Sequence, residues 1–113
     1  MARTLVTAID PTIAGANLTY ANADQANGNE VLFDRDLMVN AKNSNAATRD
    51  ITLQSNGTKV NGIAIPDVTV TIPANTGNIL IDDIPREFFV QSDGKLQIDW
   101  SADTGVTFAV IKK

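Results

Sequence analysis

Val68-Thr69-Val70-Thr71-Ile72 sets an apolar side chain at every second position, with threonine between. A period of two is that of a pleated strand with one face on a core and the other in water. Lys95-Leu96-Gln97-Ile98-Asp99-Trp100 repeats the pattern, and Ile51 and Leu53 alternate with Asp50, Thr52 and Gln54. Farther along, Val106, Phe108 and Val110 oppose Thr107, Ala109 and Ile111, which predicts a strand partly buried on both faces.

Weaker strand patterns cover residues 4–9, 31–33, 37–40, 79–82 and 88–91. Between the strands lie Asn56-Gly57, Asn61-Gly62, Pro73-Ala74-Asn75 and Asp93-Gly94, residue types that accept positive φ or end a strand. The 12 Thr and 11 Asn suit wet strand faces and turns. The four prolines, Pro11, Pro66, Pro73 and Pro85, fall at expected strand ends and loops, where a missing N–H is harmless. No helical stripe exceeds two turns. The reading is one all-β domain over residues 1–113, an antiparallel, jelly-roll-like β-sandwich of about eight short strands.

Residues 10–30 break the rhythm. They are rich in Ala, Asn and Gly without a clear period, and they contain Leu18 and the only tyrosine, Tyr20. Loops of this length are usually functional or disordered. The segment reads either as a surface excursion with one helical turn over residues 21–26, or as an arm that grips a neighbour.

Composition narrows the chemistry. At 43% hydrophobic the chain is a folding sequence, and at 5% aromatic its core is mostly aliphatic. The absence of Cys and His removes thiol catalysis, cysteine-based zinc sites and the commonest general base. Net charge is −4, with no cluster of Lys and Arg to displace phosphate counterions, so no nucleic-acid partner is expected. No apolar run reaches membrane-spanning length and no signal-like core follows Met1. The expectation is a chain made in the host cytoplasm with no membrane partner.

None of the four serines lies in a nucleophile elbow. Asp34 and Asp36 would share a strand face, and Asp82 and Asp83 would point opposite ways on a continuing strand. Neither pair lies in an aromatic sequence context that would hold a sugar. Asp93 and Asp103 sit in turns without Ca²⁺-loop spacing. The sequence therefore carries no recognisable catalytic, cofactor-binding or metal-ligating motif and no enzyme is expected; calcium, which takes oxygen ligands, is the one metal these turn carboxylates leave open. Phe88-Phe89, on a strand, would send one ring inward and leave the other needing cover, the alternative being that both are buried.

Several stretches together carry a resemblance. They are Pro11-Thr12, Tyr20-Ala21 with Ala23-Asp24, a strand ending Val39-Asn40, and Asp50-Ile51-Thr52-Leu53-Gln54. Asp67-Val68-Thr69-Val70-Thr71-Ile72-Pro73-Ala74, Ile84-Pro85 with Phe88, and Asp93-Gly94-Lys95-Leu96-Gln97-Ile98 follow. Trp100-Ser101 and Val106 with Ala109-Val110-Ile111 complete the set. These stretches resemble small virion proteins of tailed bacteriophages and prophages, of the head decoration (cement) type. The Pro73-Ala74-Asn75-Thr76-Gly77 turn departs from the pattern, which would place Gly sooner.

The resemblance implies a β-sandwich on the outer capsid surface of the virion, bound to the major capsid protein, often as a homotrimer. On that basis Leu18 and Tyr20 of the arm and Arg86, Phe88 and Phe89 are the expected contact residues. The alternatives are a carbohydrate-binding or adhesin-like sandwich, for which Tyr20 and Trp100 are the available aromatics, and a phage tail or neck component.

Overall fold

A computed structural model describes residues 2–113. The alternating segments become β5 (Arg49–Leu53), β8 (Val68–Ile72), β10 (Lys95–Trp100) and β11 (Val106–Lys112). The weaker patterns become β1 (Thr4–Val6), β3 (Asn29–Leu32), β4 (Leu37–Asn43) and β9 (Gly77–Ile81). Three two-residue strands complete the set: β2 (Ala21–Asn22), β6 (Lys59–Val60) and β7 (Ile63–Ala64).

One sheet has the order β1-β3-β10-β5-β8, antiparallel except for the parallel β1–β3 pair. The other is antiparallel throughout, in the order β2-β11-β4-β9. The framework is thus two sets of four strands, with β1 added at one edge and β6–β7 as a separate hairpin. Most connections cross between the sheets; the β5–β8 pair stays within one, and the β6–β7 hairpin fills the connection between its strands.

The expected periodicity is visible in the burial. In β4, Leu37, Val39, Ala41 and Asn43 are buried while the residues between are half-buried; in β10 the buried set is Leu96, Ile98 and Trp100. With Val31, Ile51, Leu53 and Ile72 from the first sheet and Val106, Phe108 and Val110 from the second, they form one core. The rings of Trp100 and Phe108 meet across the sheets at 4.9 Å between centroids. Each buried aliphatic or aromatic side chain contributes roughly 1.5–3 kcal/mol by leaving water.

β11 is buried on both faces as its sequence predicts: Ala109 is as closed off as Val110 although it shares a side with Thr107. The outer face there is occupied by Tyr20, whose hydroxyl donates to Asn40 Oδ1 and whose ring lies 4.2 Å from Lys42 Nζ.

The strand expected over residues 88–91 is instead a helical turn, α1 (Arg86–Phe89). Pro85, at φ −68°, starts it, and Val90 N–H closes it on Arg86 O at 2.9 Å. A helical turn separates consecutive side chains by about 100°, not the 180° of a strand. Phe88 and Phe89 therefore both pack on the core, half-buried and buried respectively.

The expected strand over residues 4–9 is interrupted because the chain changes sheets: Thr4–Val6 pairs β3, while Ile9 bridges Ile111 in β11. The helical turn expected over residues 21–26 is displaced to the Asp24–Gly28 turn, where Gly28 N–H donates to Asp24 O at 2.8 Å. In the 73–77 turn, Asn75 takes the left-handed conformation itself at φ 66°, which removes the need for an earlier Gly.

Candidate interaction surface

Asp10 through Thr19 are ten consecutive exposed residues, and they leave and rejoin the same side of β11. At the first root, Ile9 N–H donates to Val110 O at 2.7 Å and Ile9 O accepts from Lys112 N–H at 2.8 Å. At the second, Tyr20 rests on Asn40 and Lys42, Ala21 and Asn22 pair Phe108 and Thr107, and Ala23 N–H reaches Val106 O at 3.1 Å. The free arm is accordingly shorter than the 10–30 segment marked by the sequence. Residues 20–30 belong to the body of the sandwich.

Within the arm, a turn is closed by Gly15 N–H to Thr12 O at 2.9 Å. Its side chains at Ile13 and Leu18 are apolar and exposed, Ile13 completely and Leu18 by 53%. Nothing between Pro11 and Ala23 carries a charge. Asp10 at the first root pairs Arg35 at 3.4 Å, with both groups in solvent, an interaction worth under about 1 kcal/mol. Ile13 escaped the sequence reading; its bracketing by Pro11 and Gly15, a turn signature around an aliphatic residue, is the signal that marks it.

Beside the arm roots lies an open cleft of about 550 Å³ between residues 4–9 and 19–22. Leu5, Val6, Ala8, Ile9, Tyr20 and Ala21 give it an apolar lining. Its floor includes Asn29, a fully buried amide that the sequence does not distinguish from its neighbours. Asn29 Oδ1 accepts from Trp100 Nε1 at 2.8 Å and from Asp24 N–H at 3.0 Å, and Asn29 Nδ2 donates to Thr4 O at 3.3 Å. Around it, Arg3 Nη1 meets Asp99 Oδ1 at 2.6 Å and Ile98 O at 3.1 Å, and Gln54 Nε2 also donates to Asp99. These contacts hold the first strand in place.

The second expected contact segment lies elsewhere. Arg86 is exposed, its Nε donating to Phe33 O at 2.6 Å and its guanidinium 5.9 Å from the Phe33 ring. Phe89 is 3% exposed and Phe88 half-buried, so this segment presents Arg86 and one edge of Phe88, while Phe89 supports them from the core. A slot of about 140 Å³ nearby is lined by Leu53, Val68, Ile81, Ile84, Pro85 and Phe89, with Asp82 and Asp83 at its rim.

The carboxylates do not pair as expected. Asp34 and Asp36 lie in the turn between β3 and β4, both exposed, and not on a strand face. β9 ends at Ile81 and Asp83 is left-handed at φ 55°. Asp82 and Asp83 consequently meet the same ammonium, Lys113 Nζ, at 2.9 and 3.6 Å. The Lys113 hydrogen bond, then that of Asp83 N–H, holds the Asp82 carboxyl below the usual range, and the Asp82 contact raises Lys113. Asp93 accepts from Lys95 N–H at 3.2 Å and Asp103 from Gln25 N–H at 3.0 Å, both as turn ligands of the backbone. Trp100 is inside the core and Tyr20 lies against its own sheet, so neither offers a free ring face of the kind on which sugars stack.

Comparison with protein-family models, with curated proteins and with solved structures finds no match to this chain.

Proposed function

We propose that the chain is a decoration protein of a tailed-phage head, binding the outer capsid surface through its arm and stabilising the shell. The observation that carries the proposal is the exposed, uncharged arm with Ile13 and Leu18 at its surface, rooted at both ends in a sandwich sheet. Solvent-exposed aliphatic side chains on a small protruding loop gain free energy when a partner covers them, roughly 1.5–3 kcal/mol each. The partner is the major capsid protein, and the bonding is local and weak for one copy. A homotrimer on a repeating lattice multiplies such contacts through effective concentration. Arg86 and the outer edge of Phe88 form the second contact of this proposal, supported from behind by Phe89.

The test is binding of the purified protein to undecorated capsids, with Ile13→Asp/Leu18→Asp compared against the unaltered chain. Both side chains are exposed, so the double variant keeps the fold, checked by its circular dichroism. The expected result is a loss of affinity of at least about a hundredfold, each buried aliphatic contact being worth about tenfold or more. Unchanged binding by the folded variant removes the arm from the contact and the proposal with it. Binding to purified tails or necks in place of heads would move the same contact to the alternative virion location.

A further inference from the structure

We propose that Asn61 is the site at which this protein deamidates in its folded state, through attack by the backbone nitrogen of Gly62. The chain holds three Asn-Gly pairs: Asn27-Gly28, Asn56-Gly57 and Asn61-Gly62. Glycine after asparagine leaves the following amide nitrogen unshielded and conformationally free, so in an unfolded chain all three are comparably reactive. Folding separates them.

At the first pair, the attacking nitrogen and the amide under attack are both held. Gly28 N–H donates to Asp24 O at 2.8 Å, and Asn27 donates to Asp24 through its backbone at 3.2 Å and through Nδ2 at 3.1 Å. Gly28 is buried, and a side chain at its position would run into Arg3 and Asp99. Opening this turn disturbs the contacts that fix β1.

At the second pair, the Asn56 side chain is saturated. Its Nδ2 donates to Glu87 O at 2.8 Å and Val90 O at 2.9 Å, and its Oδ1 accepts from Thr58 N–H at 3.0 Å and Thr58 Oγ1 at 2.6 Å. Rotation of the amide towards Gly57 costs all four bonds.

Asn61 has none of this protection. It is exposed, and no hydrogen bond among the described residues reaches its side chain. It forms with Gly62 the two-residue turn between β6 and β7, at φ 52° and 82°, and all four strand residues of that hairpin are exposed. A turn with two positive φ values is not itself the reactive geometry; the hairpin has to open first. Two-stranded hairpins without a packed face are marginal, and segments with few buried contacts open at low free energy. Opening is therefore cheapest at Asn61.

In the open form, solvent base removes the Gly62 amide proton and the nitrogen bonds to Asn61 Cγ. The Cγ–NH₂ bond breaks, and ammonia leaves with a solvent proton. Water then opens the cyclic imide at either carbonyl, giving aspartate or isoaspartate; no oxidant or reductant is needed. Isoaspartate lengthens the main chain at a turn that admits two residues, so Lys59↔Ala64 and Val60↔Ile63 can no longer pair. The exposed Val60 and Ile63 at this tip are then presented differently, and the chain gains one negative charge.

The experiment is incubation of the folded full chain in mildly alkaline buffer, with peptide mapping by mass spectrometry over time and a parallel sample in denaturant. Each 1.4 kcal/mol of extra opening cost slows a site about tenfold. Asn61 should convert at least about tenfold faster than Asn27 and Asn56 in the folded protein, and the three rates should fall within about threefold in denaturant. The Asn61→Gln variant should lose the first acidic species seen on isoelectric focusing. Conversion of Asn27 or Asn56 at the rate of Asn61 in the folded chain would overturn the assignment. Persistence of that species in Asn61→Gln would do so equally.

Discussion

Replacement of Asn29 by alanine should destabilise the protein by about 3 kcal/mol. Asn29 is fully buried, and its amide serves Trp100 Nε1, Asp24 N–H and Thr4 O. Of the three partners, the Trp100 N–H lies deepest, in a residue 5% exposed. A buried donor left without an acceptor costs roughly 1–3 kcal/mol. Asp24 is half-buried and Thr4 exposed, so both can turn to water, and each loses only the net value of a hydrogen bond, about 0.5–1.5 kcal/mol. Against a total stability of roughly 5–15 kcal/mol this is a large fraction, and it lowers Tm by about 12 °C or more in a domain of this size. Urea denaturation followed by far-ultraviolet circular dichroism measures it. A double-mutant cycle with Trp100→Phe isolates the shared bond, because the second substitution costs less once its partner is gone. A coupling of at least about 1 kcal/mol is expected. A loss below about 1 kcal/mol for Asn29→Ala, or strict additivity with Trp100→Phe, would show that the buried amide does not hold the tryptophan.

Gly28 sits at φ +74°, and an added Cβ would collide with Arg3 Nη1 and lie 2.7 Å from Asp99 Oδ1. Gly28→Ala should cost about 1 kcal/mol for the left-handed backbone and about 1 more as Arg3 is driven off Asp99. The second part should shrink in an Arg3→Ala background, where only the Asp99 contact remains; equal costs in both backgrounds, by denaturant titration, would refute the collision with Arg3. Acidification should release the first strand before the core melts. The Thr4 hydroxyl, and after it the Asn27 amide, hold the Asp24 carboxyl below the ordinary aspartate range. A depressed folded-state pKa gives stability that is present above the unfolded aspartate pKa and lost as pH falls through the folded value. Amide exchange at Thr4–Val6 should rise through that acid window, and the rise should be absent in Asp24→Asn; an identical pH profile in both chains would contradict it.

The strands legible in the sequence are those whose information is local. β5 and β10 alternate because each packs one face on the core, β11 is closed on both faces, and edge strand β8 seats Ile72 in the core while Val68 stays exposed; the structure places all four where the alternation does. Strand order was not legible, since β10 lies between β3 and β5 through pairings that leave no trace in any one segment. Phe88-Phe89 was misread for a local reason: two adjacent apolar residues fit a strand pattern and a helical turn equally, and Pro85 decides between them. Asn29 was illegible because its meaning lies in a tryptophan 71 residues away. For the candidate surface, the arm showed as a break in the rhythm, but its length did not. Residues 20–30 look as irregular as residues 10–19, yet Tyr20 and β2 fasten them to the second sheet.

That difference in length bears on how such an arm could hold a partner. Fixing one backbone residue costs about 1–2 kcal/mol in conformational entropy. Freezing ten fully mobile residues would therefore cost more than the roughly 3–6 kcal/mol that burial of Ile13 and Leu18 returns, and freezing twenty-one would be hopeless. Two features reduce the deficit before any contact is made. Both roots are hydrogen-bonded into β11, and the Thr12–Gly15 turn, preceded by Pro11, already closes the apex. What remains is still a weak grip for a single copy. On the proposed reading, strength must come from repetition: a trimer presenting three arms to a lattice loses its rigid-body freedom once, at the first contact, and makes the next two at high effective concentration, each arm still meeting its own ordering cost. Affinity for intact shells should accordingly exceed that for an isolated capsid subunit, and the arm, not the sandwich, should set the ratio.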